Sequence, residues 1–138
     1  AFAVEICHPS SKHPTGERLV GVFDVVVQEK DGTYGILEHK TAARRFAKTR
    51  LDHDLQVTGY HHSARFMGLG EATITLQVLL KTSKPALELY QPTRTSRDIT
   101  DFQRVAAGVL AAIEAGAFYP VHDWWCGSCS AAAHCLAG

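Results

Sequence analysis

The sequence predicts one α/β domain built on a mixed β-sheet flanked by helices, ending in a cysteine-rich tail. Three observations carry this. Strand-like segments fall on both sides of a helical one, in the order β-β-β-α-β-β-α. A later helix carries a continuous apolar stripe. Three of the four cysteines, Cys126, Cys129 and Cys135, crowd into the last thirteen residues.

The elements follow in order. Residues 2–7 read as a short strand, and 8–16, with Pro9, Pro14 and two serines, as a loop. Seven of the nine residues from Leu19 to Val27 are apolar and β-formers dominate, which predicts a strand buried on both faces. Lys30-Asp31-Gly32 then forms a three-residue hairpin loop, with Gly32 at the left-handed position, leading into a strand from Tyr34 to Thr41. Helical spacing runs from Leu51 to Met67 and stops at Gly68 and Gly70. Ile74, Leu76, Val78 and Leu80 alternate along a strand at 71–81, and 87–93 is its hairpin partner. Residues 98–115 form the clearest helix. Its stripe is Ile99, Phe102, Val105, Val109, Leu110 and Ile113, with Thr100 and Gln103 as a capping box and Gly116 as the C-cap. Residues 1–120 thus form the core, and 121–138 a tail of the same domain.

The 138 residues are 46% hydrophobic and 20% charged, which is globular rather than disordered composition. Fourteen basic residues balance fourteen acidic ones, so any case for nucleic acid must rest on local patches. No apolar run reaches membrane-spanning length, and no basic n-region precedes an apolar stretch. Residue 1 is Ala, which fits a processed, trimmed or fragmentary chain.

Asp24 sits inside an apolar segment, where an ionised carboxylate is costly unless paired or metal-bound. A three-residue loop at 30–32 pairs Glu29 with Thr33, and counting back sets Asp24 opposite Glu38. Lys40, two residues on, points to the same face. Two carboxylates and an ammonium converge in this register. Hard oxygen ligands suit Mg2+ or Mn2+, and a lysine beside them can act on an attacking water or a phosphoryl oxyanion. The plain alternative is a structural Glu38–Lys40 salt bridge. Lys40, Arg44, Arg45, Lys48 and Arg50 place five basic residues in eleven, with no acid among them. Such a run reads either as a phosphate-binding segment or as a solvated loop. Gln56 and Tyr60 lie one helical turn apart and face the same way.

Asp24, then Glu38-His39-Lys40, then Gln56-x3-Tyr60, resembles the PD-(D/E)XK nuclease superfamily. The Gln-x3-Tyr element is similar to its RecB-like branch. Trp124-Trp125 followed by Cys126-x2-Cys129-x5-Cys135 resembles the branch's iron–sulfur members, the AddB-type helicase–nucleases and the CRISPR-associated or phage exonucleases. The resemblance implies a restriction-endonuclease-like fold and a Mg2+- or Mn2+-dependent DNA nuclease, with exonuclease action in DNA processing, repair or recombination. It implies that Asp24, Glu38 and the His39 backbone carbonyl hold the metal, that Lys40 acts on the attacking water, and that Gln56 and Tyr60 place the DNA strand. Single-stranded DNA or DNA ends would be the substrate, a helicase or larger nuclease complex a partner, and the bacterial, archaeal or phage-infected cytoplasm the location. The branch also has an upstream histidine ligand and a first cluster cysteine from an N-terminal segment. Only His8 and His13 precede Asp24, and both are expected in a loop, so that helical segment is expected to lie outside these residues. A non-catalytic DNA-binding or assembly module of the same fold is the alternative.

For the tail, C-x2-C-x5-C spacing points to a metal or cluster in a reducing compartment. The resemblance implies a [4Fe–4S] cluster on Cys126, Cys129 and Cys135, with Cys7 or a cysteine outside the chain as the fourth ligand. A zinc site completed by His122 or His134 is the competing reading, and with it a zinc-ribbon interaction domain. His39 is expected to face the opposite side of the sheet and to serve packing. His53, His61 and His62 receive no role.

Overall fold

In the computed structural model, which describes residues 1–7, 13–117, 121 and 123–135, the chain divides into two compact units, Ala1–Ala107 and Gly108–Gly138. The first unit opens with an antiparallel ribbon of β1 (Phe2–Cys7) and β2 (Pro14–Gly21). A four-stranded sheet follows, of β3 (Val25–Gln28), β4 (Tyr34–Ala42), β5 (Thr73–Leu80) and β6 (Ala86–Tyr90), in that spatial order. β3–β4 and β5–β6 are antiparallel, while β4–β5 are parallel, so the sheet is mixed. Two helices, α1 (Lys48–Asp52) and α2 (Leu55–Phe66), make the crossover that a parallel pair requires. Helix α3 (Ser96–Glu114) follows β6. The expected α/β architecture is therefore present.

The hairpin loop has the expected three residues. Gly32 adopts φ +86°, its N–H donates to the Glu29 carbonyl at 3.0 Å, and the Glu29 N–H donates to the Thr33 carbonyl at 2.8 Å. Asp31 fixes the turn by accepting from the Thr33 N–H and hydroxyl. The ladder then runs from Gln28↔Tyr34 to Val25↔Leu37. One step further sets Asp24 opposite Glu38.

Strand alternation gives the sheet two unlike faces. Ile36, Ile74, Leu76, Val78 and Leu80 are buried, with Val57, Tyr60 and Ala64 of α2 in the same core. On the other face Leu79, Leu87 and Leu89 are exposed, and so is His39. His39 thus faces away from the core as expected, but is exposed there rather than buried.

Several expectations need correction. The segment from Leu19 to Val27 is not one strand buried on both faces. It breaks at residues 22–24, where the chain passes from the ribbon to the sheet, and Val20, Val22, Val25 and Val26 are all exposed. Phe23 turns inward, packing on Phe2 at 4.7 Å, and Leu19 is partly buried against the core. Of the loop expected at 8–16, Pro14 to Gly16 belong to β2, and residues 8–12 lie outside the described residues. The helix expected at 51–67 is two helices, since Asp54 leaves the helical region and caps α2, its side chain accepting from the Val57 N–H at 3.0 Å. The capping box of α3 lies at Thr95 and Asp98, not at Thr100 and Gln103. The Asp98 carboxylate accepts from the Thr95 N–H at 2.6 Å, and the Thr95 hydroxyl accepts from the Asp98 N–H at 3.3 Å. Thr100 instead donates back to the Ser96 carbonyl. The far end closes as expected: Gly116 has φ +63°, and its N–H and that of Ala117 bond back to Ile113 and Ala112.

In the second unit, a 3-10 turn at Trp124–Ser128 precedes the short helix α4 (Ala132–Cys135). Asp123 caps the turn, accepting from the Trp124 N–H at 2.6 Å.

Two histidines of α2 make stability depend on pH. His62 is buried with its ring 4.9 Å from that of Phe66, and His61 meets the Pro92 carbonyl at 3.1 Å. Burial holds both imidazoles below the ordinary 6.5, so the folded state favours their neutral form. As pH falls below about 6.5 the unfolded chain takes up protons first, and stability drops through that window while remaining full above it. The thermal midpoint is expected to be lower near pH 5.5 than near pH 7.5, and His62→Leu to flatten the decline. An unchanged slope in that variant would exonerate His62.

Candidate active site

The site is organised on Glu38, whose side chain lies in the sheet's buried face with only 3% of the residue exposed. A buried carboxylate must be paired and hydrogen-bonded. Three neighbours do this. The Lys40 ammonium donates to Oε1 at 2.5 Å, the Gln56 amide donates to the same oxygen at 3.0 Å, and the Tyr60 hydroxyl donates to Oε2 at 2.8 Å. Gln56 is itself held: its Oε1 accepts from Lys40 at 2.6 Å, and its amide nitrogen also donates to the Tyr60 oxygen at 3.0 Å. This fixes the amide's orientation, since a flipped group would set its NH2 against the ammonium. Tyr60 also lies 2.9 Å from the Val22 carbonyl. Burial, then its bond to Glu38, pushes the phenol up to about 12, so it stays a donor at any working pH.

Asp24 stands across the ladder. It is exposed at the break before β3 rather than enclosed in an apolar strand, which removes the expected burial cost. Its Oδ2 accepts from the His39 N–H at 2.8 Å, leaving Oδ1 available. The hard oxygens at this edge are those of the Asp24 and Glu38 carboxylates. Such hard oxygens fit Mg2+ or Mn2+, which keep several waters of their own.

A sequence model of the PD-(D/E)XK nuclease superfamily matches residues 1–136. The chain belongs to that superfamily. No curated protein matches the sequence. Membership implies a nuclease that hydrolyses phosphodiester bonds, with DNA as the substrate and divalent metals as the usual cofactors of such enzymes. Among the described residues no helix is long and apolar enough to cross a membrane.

In this superfamily member the support of the site comes from residues distant in sequence. Phe2 of the ribbon and Phe23 of the break pack against Tyr60, with ring centroids 6.1 and 5.0 Å away. Gly21 permits this, because a Cβ there would lie 2.4 Å from the Phe2 ring. Arg94, just before α3, reaches back to the start of α2. It donates to the Thr58 hydroxyl at 2.7 Å and to the carbonyls of Leu51 and Asp54 at 2.8 and 3.1 Å. It thereby ties the end of α1 to the cap of α2, two residues before Gln56. Nothing local in the sequence signals this, since the contacts span 36 to 43 residues.

The basic run is largely occupied by other partners. Arg45 pairs with Glu88 at 2.7 Å, Lys48 with Asp52 at 2.8 Å, and Arg50 lies over the Phe46 ring at 3.9 Å. Arg44 is exposed. The tail thiols are all free. Cys126 accepts from the Asp123 N–H at 3.3 Å, while Cys129 and Cys135 are exposed. Among the described residues no three His, Cys, Asp or Glu side chains converge closely enough to hold a metal ion, so the tail cysteines as they stand do not form a cluster cage. His122 lies outside the described residues.

Arg94→Ala is expected to lower stability by about 2–4 kcal/mol, since hydrogen bonds from a charged donor each contribute about 1.5–3 kcal/mol and the freed carbonyls lose their partner. Urea unfolding measures this; a loss under about 1 kcal/mol would mean that water replaces the guanidinium at no cost.

Proposed function

We propose that the chain is a Mg2+- or Mn2+-dependent deoxyribonuclease of the RecB-like branch, acting as an exonuclease on single-stranded DNA or DNA ends in processing, repair or recombination. The observation that carries this reading is the Glu38 network, which gathers Lys40, Gln56 and Tyr60 around one carboxylate. Asp24, Glu38 and the His39 carbonyl hold the ion, which when bound would polarise the scissile phosphate and neutralise its charge. Lys40 donates two hydrogen bonds within the network and has a third N–H left. Its chemistry is therefore that of a donor: it orients the attacking water or stabilises the oxyanion. Gln56 and Tyr60 position the strand, while Arg44 and Arg45 meet its phosphates, Arg45 exchanging Glu88 for DNA. In this reading residues 1–120 are the nuclease core, served in the cytoplasm by a helicase or larger complex.

Single Ala substitutions at Asp24, Glu38 and Lys40 are expected to lower Mn2+-dependent cleavage of a labelled oligonucleotide at least ~100-fold. Near-wild-type cleavage by Lys40→Ala would overturn its role. A protein that binds DNA but never cleaves it would favour the non-catalytic module.

For residues 121–138 the reading is a structural [4Fe–4S] cluster on Cys126, Cys129 and Cys135, with Cys7 or a cysteine from elsewhere as the fourth thiolate. It rests on spacing and resemblance, and requires the thiols to close around the cluster. Protein purified without oxygen should be brown and absorb near ~400 nm, and Cys129→Ala should bleach it. A colourless protein with one equivalent of zinc would replace the cluster by a zinc site, with His134 or His122 as a fourth ligand.

A further inference from the structure

A second feature adjoins the carboxylates. Between the β1–β2 ribbon, α2 and the start of α3 lies an open cleft of about 230 Å³. Phe2, Leu19 and Phe102 line its apolar walls, and Gln56 and Tyr60 form the side it shares with the Glu38 network. Val20, Val22 and Leu55 stand at this cleft 70%, 63% and 52% exposed. Surface apolar groups gathered beside polar ones that converge on a buried acid are unusual on a soluble protein and mark a binding place. Gly59 keeps one wall low: a Cβ there would come within 3.3 Å of the Phe102 ring.

We propose that this cleft is a nucleobase subsite, receiving one unstacked base of a single-stranded substrate whose phosphodiester lies at Asp24 and Glu38. The proposal rests on the nuclease reading and deepens it by naming where one base of a single strand is held. Its chemistry matches: aromatic and aliphatic surface for a base's π-face, and an amide and a phenol at the rim for its edge. A duplex keeps its bases stacked and paired, so the cleft selects single strands. The continuity of the cleft with the network through Gln56 and Tyr60 argues for the substrate strand itself as occupant rather than a separate polypeptide.

The test leaves the protein unmodified. A set of single-stranded oligonucleotides, each with one abasic position, is titrated against the full chain in Ca2+ to limit turnover, and then cleaved in Mn2+. One abasic position at a fixed offset from the cut is expected to weaken binding about 5- to 150-fold, the range of a single base–aromatic stack. Val20→Ala and Leu55→Ala, which trim exposed walls of the cleft, should reduce that position's sensitivity. A flat abasic profile alongside normal cleavage would overturn the subsite and leave the nuclease reading intact; it would assign the cleft to a polypeptide or to no ligand. Absence of both binding and cleavage would overturn the nuclease reading and the subsite with it.

Discussion

The burial of one carboxylate constrains much of this molecule. Glu38 is enclosed by the core face of the sheet, where an unpaired charge would cost several kcal/mol. Its three donors come from two elements, Lys40 from the same strand and Gln56 and Tyr60 from α2. Strand and helix must therefore meet in one register. Sliding α2 by a residue would turn Gln56 and Tyr60 away and leave the acid stranded. The outlying parts serve the same end: Arg94 anchors the start of α2, and Phe2 and Phe23 brace the ring of Tyr60.

Much of this was legible in the sequence, for reasons that differ by element. The hairpin register followed from Gly32, because a three-residue loop with its left-handed residue in place leaves little choice of pairing. From that register came the opposition of Asp24 and Glu38 and the shared face of Lys40. β5 was plain because Ile74, Leu76, Val78 and Leu80 alternate with less buried positions. The pairing of Gln56 with Tyr60 followed from helix geometry alone. What failed was inference from composition. Leu19 to Val27 looks like one buried strand, yet the chain needs a break there to leave the ribbon and enter the sheet. Val20, Val22, Val25 and Val26 are exposed because a run of β-forming residues does not say what, if anything, covers the strand. The Leu51–Met67 helix likewise hid the cap at Asp54, since a cap inside a periodic pattern looks like one more polar residue.

The basic run shows a different limit. Five cations in eleven residues suggest a phosphate track, but charge counts do not show which cations are already engaged. Glu88 is 43 residues from Arg45 in sequence, and the Phe46–Tyr90 stack that underlies Arg50 spans a similar gap. Long-range partners decide how much of a local charge pattern remains for a ligand. Arg44, exposed, and Arg45, an exposed guanidinium paired with a mostly enclosed Glu88, differ in that respect: a phosphate that takes Arg45 must compete with that carboxylate.

The same reasoning explains why α2 can serve two surfaces at once. Gln56 and Tyr60 hold Glu38 through their polar ends, while the bodies of both side chains line the apolar cleft. An amphipathic side chain permits this, since its tip and its stem face different surroundings. A ligand pressing on the cleft wall therefore touches the residues that orient Glu38 and, through Gln56, the Lys40 ammonium. In the proposed reading, binding at the wall and chemistry at the carboxylate would be coupled through two side chains on one turn of helix. Because those side chains already carry hydrogen bonds to Glu38, a base seated against them in the proposed subsite would meet a carboxylate whose partners are set before the strand arrives.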